Sequence, residues 1–103
     1  MSYKNLRPAP FKEAIKQDKN AVILDVRTAQ EAAGGGIEGA IIIDFLAGDF
    51  EKKIQDFDKN KSYYVYCRSG NRSGKACSIM EQMGFAQLAN LDGGMMAWNA
   101  YKL

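Results

Sequence analysis

The stretch from Tyr63 to Gly74 constrains the fold more than any other part of the chain. Tyr63-Tyr64-Val65-Tyr66 runs apolar into Cys67, the polar loop Arg68-Ser69-Gly70-Asn71-Arg72-Ser73 turns, and a helical pattern begins behind it. A strand that passes through a short loop straight into a helix is half of a βα unit, and such units build parallel sheets with their sites at the carboxyl ends of strands. Cys67 stands at that end.

The remaining elements fit the same frame. Asn5 to Pro10 reads as an extended entry, because the residue before each of Pro8 and Pro10 is biased away from helix. Phe11, Ala14 and Ile15 then recur at helical spacing. Ala21-Val22-Ile23-Leu24-Asp25-Val26 is a nearly continuous apolar run, the pattern of a strand covered on both faces. Thr28 and Glu31 have capping-box spacing for a short helix through Ala33, which Gly34-Gly35-Gly36 ends. Ile41-Ile42-Ile43 is a short strand, and Asp44 to Phe57 carries apolar residues at helical spacing and reads as largely one helix. The loop helix runs from about Ser73 to Met83 with Gly84 as its cap, Gln87 to Leu91 is a last strand, and Met95 to Tyr101 is a closing helix with Trp98 inward. Strands alternating with helices predict an α/β domain with a mainly parallel sheet and helices on both faces.

Composition narrows the function classes. The 103 residues suffice for one domain spanning 1–103, with 47% apolar and 25% charged residues, the balance of an ordinary globular protein. A net charge of +2 with dispersed lysines argues against nucleic acid as a partner. No apolar run approaches the ~18 residues of a membrane span, and Met1 to Arg7 lacks the apolar segment of a leader, so a cytoplasmic protein without a membrane partner is expected. The chain has no histidine, which excludes Ser-His-Asp and Cys-His catalysis and His-containing metal sites. Two cysteines with nine residues between them are poor evidence for a metal, so neither metal nor cofactor is expected.

The loop has the chemistry to hold an anion at a thiolate. A free thiol titrates near ~8.5, whereas one at a helix N-terminus meets unpaired N–H groups and the positive end of the dipole. A lowering of about two units corresponds to roughly 2.7 kcal/mol, within reach of such surroundings with Arg68 and Arg72 adding to them. Glycine lets successive N–H groups turn toward one centre. A strand cysteine is ordinarily a core residue, but a core position is not normally followed by six polar or tiny residues. Cys67 is therefore read as the nucleophile, and Cys77, on the apolar face of the next helix, as packing. Asp25 and Arg27, charged at the exit of an apolar strand, are read as braces for the loop. Gly93 and Gly94 read as turn residues only.

With Leu24-Asp25-Val26-Arg27 and Glu31, Gly35 through Ala40 as a degraded Gly-His-Ile-x-Gly-Ala, the loop Cys67 to Ser73, and Leu91-Asp92-Gly93-Gly94 with Trp98, the chain resembles the single-domain rhodaneses, the sulfurtransferase family. The resemblance implies a three-layer α/β/α domain with about five strands. It implies a ping-pong transfer, in which Cys67 takes the outer sulfur of thiosulfate or a persulfide donor as a persulfide and passes it to cyanide, a thiol or a protein cysteine. The N–H groups of Arg68, Ser69, Gly70, Asn71, Arg72 and Ser73 would surround the persulfide, Arg68 would face the anionic donor, and Arg72 and Ser73 would hold the loop. Related phosphatases have five residues between cysteine and arginine. Cys67 and Arg72 have four between them, a gap better suited to one sulfur atom than to a phosphate.

Four positions depart from the family pattern. Ala32 stands where an aromatic residue is usual, Gly36 where histidine is, Ile42 where asparagine is common, and Ala89 where a larger residue, often tyrosine, is found. If buried, truncations of this type cost roughly 2–5 kcal/mol each, so either neighbours refill the space or the packing around the first two strands is loosened, and in the second case Gly36→His should stabilise. The departures also leave open a rhodanese-like binding or scaffold domain with weak catalysis.

Overall fold

A computed structural model describes residues 3–102. Met1 and Ser2, part of the start read for a leader, and Leu103 fall outside them. The elements in order are β1 (Lys4–Leu6), α1 (Pro8–Gln17), β2 (Ala21–Asp25), α2 (Ala29–Ala33), β3 (Ile41–Ile42), a 3-10 turn (Phe45–Ala47), α3 (Phe50–Ile54), β4 (Ser62–Tyr66), α4 (Asn71–Gln82), β5 (Gln87–Leu91) and α5 (Gly94–Lys102). The five strands form one parallel sheet in the order β1-β5-β4-β2-β3. The α/β class with a mainly parallel sheet is the one expected.

Alternation along β4 builds two cores. Tyr63, Val65 and Cys67 face α3 and α4 among Leu24, Val26, Ile54 and Met80, while Tyr64 and Tyr66 face α1 and α5 among Phe11, Leu91 and Trp98. All five residues of β4 are buried, as a central strand between two helical layers must be. Phe11 ties the second core together, meeting both Tyr64 and Trp98 edge-on with ring centroids 5.6 and 6.3 Å away.

Three local expectations are corrected. The extended entry ends at Leu6, and both prolines lie in the first turn of α1, with Arg7 as the N-cap. A helix's first N–H groups have no intrahelical partner, so proline loses nothing there. Residues 44–57 are not one helix: Asp44 caps a 3-10 turn by accepting from the Leu46 N–H at 2.9 Å, Gly48 takes a left-handed φ of 89°, and α3 starts only at Phe50. Periodicity could not separate these, because Phe45 and Phe50 still pack together, their ring centroids 5.3 Å apart. The expected voids are the third case. Gly36 and Ile42 are exposed and Ala32 is half-buried, so only Ala89 is a small residue at a buried position.

Candidate active site

Cys67 leaves β4 into a loop whose peptide planes are set from outside. The first N–H groups of α5 lack helical acceptors, and two of them bind loop carbonyls: Met95 N to Cys67 O at 2.9 Å and Met96 N to Arg68 O at 3.0 Å. In a trans peptide the N–H points opposite to the C=O. Fixing the Arg68 carbonyl toward α5 thus turns the Ser69 N–H back toward the sulfur. Gly94 permits the approach. At φ 58°, a side chain there would lie 2.6 Å from Cys67 O and collide with the Arg68 carbonyl. Sequence reasoning gave Gly94 no more than a turn; the Gly-Gly pair before a helix was the available signal.

The donors converge on Cys67 Sγ. Gly70 N lies at 3.1 Å, Ser73 N at 3.4 Å and Ser73 Oγ at 3.3 Å. Gly70 reaches this position with φ 96°, the left-handed turn that opens α4. Burial pushes the Cys67 thiol up, but the Ser73 hydroxyl and the N–H groups of Ser73, Ser69 and Gly70 outweigh it, and the net shift is downward. Cys77 has burial without such donors, and its thiol is pushed up to about 12. The two cysteines are free, with opposite electrostatics.

The other loop residues divide into two groups. Arg68, Ser69 and Asn71 are exposed at the rim, whereas Ser73 is fully buried beneath it. Arg72 turns sideways and gives Nη1 and Nη2 to the two carboxylate oxygens of Glu31 at 2.7 and 2.8 Å. Glu31 also completes the capping box with Thr28 that the sequence predicts. The charge of Cys67 contributes to holding Arg72 protonated, after its larger bond to Glu31. A shallow pocket of about 240 Å³ beside the loop is lined by Arg27, Glu31, Arg68, Met95, Met96 and Asn99. Cys67 is itself fully buried beneath the rim.

Asp25 and Arg27 lie at the same sheet edge but brace a different segment. Arg27 Nη2 binds Asp25 Oδ2 at 2.7 Å and the Gly35 carbonyl at 2.8 Å, while Tyr66 Oη donates to Asp25 Oδ2 at 2.9 Å and accepts from Ile37 N at 3.0 Å. Both carboxylate oxygens of the buried ion pair are hydrogen-bonded, which favours keeping such a pair in the interior. It fixes the glycine segment before β3, and its bonds run there rather than to Cys67–Ser73. A Cβ on Gly36 would lie 2.6 Å from Tyr66 Oη and 2.8 Å from Arg27 Nη2. The space a Cβ would take is occupied by Tyr66, Arg27 and Asp25. Asn90 was also missed: its Oδ1 accepts from Ser73 Oγ at 2.5 Å. Among the described residues no group of three or more His, Cys, Asp or Glu could hold a metal ion.

The fold and the loop together define a parallel α/β domain centred on a thiolate-stabilising ring of N–H donors. The chain belongs to the rhodanese-like domain family, whose pattern matches residues 8–101. It is 40% identical over 98 residues to YtwF of Bacillus subtilis, a protein named as a sulfurtransferase, covering 95% of this chain and 92% of that one. It is 33% identical to thiosulfate sulfurtransferase GlpE of Pseudomonas putida, over 95% of this chain and 86% of the relative. The crystal structure of a rhodanese-like domain protein from Staphylococcus aureus superposes with a TM-score of 0.81 at 34% identity, covering 92% of this chain and 90% of that one. These likenesses support sulfurtransferase chemistry in general.

Proposed function

We propose that the protein is a cytoplasmic sulfurtransferase that acts as one domain, residues 1–103, through a Cys67 persulfide. Cys67 thiolate attacks the outer sulfur of thiosulfate, the S–S bond to the sulfonate breaks, and sulfite leaves with the bonding pair. The charge moves to the outer sulfur of Cys67–S–S⁻. An acceptor such as cyanide, a thiol or a protein cysteine then takes that sulfur, regenerating the thiolate. Arg68 at the rim meets the anionic donor, the N–H groups from Ser69 to Ser73 surround the transferred sulfur, and Arg72 and Ser73 hold the loop. Asp25 and Arg27 support the adjoining glycine segment. Two free cysteines suit a reducing compartment, and no helix among the described residues is long and apolar enough to cross a membrane.

The observation that carries this reading is the convergence of Gly70 N, Ser73 N and Ser73 Oγ on Cys67 Sγ within 3.4 Å. Incubation of the reduced protein with thiosulfate should add one sulfur by intact mass, and Cys67→Ser should add none. No adduct on the native chain defeats the reading in favour of a binding domain. Turnover of a generic aryl phosphate without the adduct favours the phosphatase relatives.

A further inference from the structure

Ser73 has one hydroxyl proton and two acceptors in reach. Its Oγ lies 3.3 Å from Cys67 Sγ and 2.5 Å from Asn90 Oδ1. The Asn90 amide cannot turn around to relieve this competition. Its Nδ2 donates to the Gly70 carbonyl at 3.2 Å and to Asn5 Oδ1 at 2.9 Å, and a carbonyl can only accept. Oδ1 must therefore face Ser73. Asn90 is 4% exposed and Ser73 is fully buried, so the hydroxyl and its two acceptors lie out of bulk water.

We infer that Asn90 is a positioning residue that competes with Cys67 for the Ser73 proton, disfavouring the bare thiolate relative to both the thiol and the persulfide. With a thiol, the chain Cys67 S–H to Ser73 Oγ–H to Asn90 Oδ1 is complete. With a thiolate, Ser73 must donate to sulfur, and Asn90 Oδ1 then faces a hydroxyl oxygen with no proton between them. With a persulfide, an extension that rests on the sulfur-transfer reading above, the inner sulfur is uncharged and the Ser73 proton returns to Asn90. A thiolate held less tightly is also the better nucleophile, because nucleophilicity rises with thiol pKa.

The other charges around the sulfur are left in place by a change at Asn90: Arg72 on α4 with Glu31 on α2, Arg68 in the loop, Asp44 before the 3-10 turn acting on Arg72, and the Asp25–Arg27 pair beyond β2. The test is the pH profile of Cys67 alkylation, read by peptide mass in the native chain, Asn90→Ala, Ser73→Ala and the double variant. Asn90→Ala should shift the midpoint downward with Ser73 present, raising the thiolate fraction below the midpoint roughly three- to tenfold, the worth of one hydrogen bond. In the Ser73→Ala background the same change should lack this downward component. Loss of a merely structural residue would loosen the loop and act alike in both backgrounds. Equal shifts in the two backgrounds, or a more upward shift when Ser73 is present, overturn the proposal. Asn90→Leu keeps the volume and removes the acceptor, so it should give the same downward component with the same dependence on Ser73, and serves if the alanine variant does not fold. The profile needs no sulfur donor and is read apart from persulfide formation.

Discussion

Arg72 and Glu31 meet fork to fork, Nη1 on Oε1 at 2.7 Å and Nη2 on Oε2 at 2.8 Å, and so join the first turn of α4 to α2. The bond to Arg72, followed by the Thr28 N–H, holds the Glu31 carboxyl down at about 2 against an ordinary 4.5. A carboxyl depressed in the folded state stabilises it above its unfolded value and loses that contribution as pH falls through its folded value. Glu31→Gln keeps an oxygen for the capping box but loses the charge. Urea unfolding should show about 1 kcal/mol lost at neutral pH, with the difference from the native chain shrinking between pH 4.5 and about 2. A difference that persists at the acid end would mean the carboxylate charge is not what matters.

Gly94 is the point where α5 touches the Cys67 loop, and the closeness of Cys67 O and Arg68 O leaves no room for a methyl group. Gly94→Ala would face both that collision and a left-handed φ, each costing about 1–3 kcal/mol. The Met95 and Met96 N–H bonds to the loop would lengthen and release the Ser69 N–H from its orientation. The expected outcome is a lower melting temperature together with a Cys67 midpoint shifted upward. A variant that melts lower with an unchanged midpoint would separate the stability of α5 from the electrostatics of the sulfur.

How far the sequence could lead depended on the range of the interaction. The capping box at Thr28 and Glu31, the buried strand before Cys67 and the helix behind it are local patterns, and they appear where expected. The break at Gly48 follows from one backbone angle that a common apolar spacing hides. Arg72 bound to Glu31, Asn90 bound to Ser73 and Tyr66 filling the space beside Gly36 join residues 41, 17 and roughly thirty positions apart, on elements that only the sheet order brings together. Asp25 and Arg27 show the same limit: their place at the sheet edge was legible, whereas the segment they hold was not.

At Gly36 the first of the two expected alternatives holds, and neighbouring side chains refill the space. Tyr66 Oη and Arg27 Nη2 occupy the space a side chain would need, and Tyr66 is held there by Asp25 and Ile37. Gly36→His must therefore displace the hydroxyl or the guanidinium from a buried network. Thermal unfolding should show a loss of about 1–3 kcal/mol, the usual cost of overpacking, and the same direction for Gly36→Ala. A gain in stability would show that the network re-forms around the imidazole.

Ala89 is where the expectation of a small residue leaving space survives. It is 5% exposed, in register between Lys4 of β1 and Tyr64 of β4, and it lines a pocket of about 210 Å³ with Leu6, Ala14 and Leu88. The pocket lies at the amino-terminal half of the sheet, away from Cys67, so filling it bears on stability rather than on sulfur chemistry. Ala89→Leu should raise the unfolding free energy by about 0.5–2 kcal/mol, the range of cavity-filling changes, and leave the Cys67 alkylation profile where it was. A destabilised variant would mean that Tyr64 and α1 already close over the space, and that the position tolerates alanine because nothing larger fits.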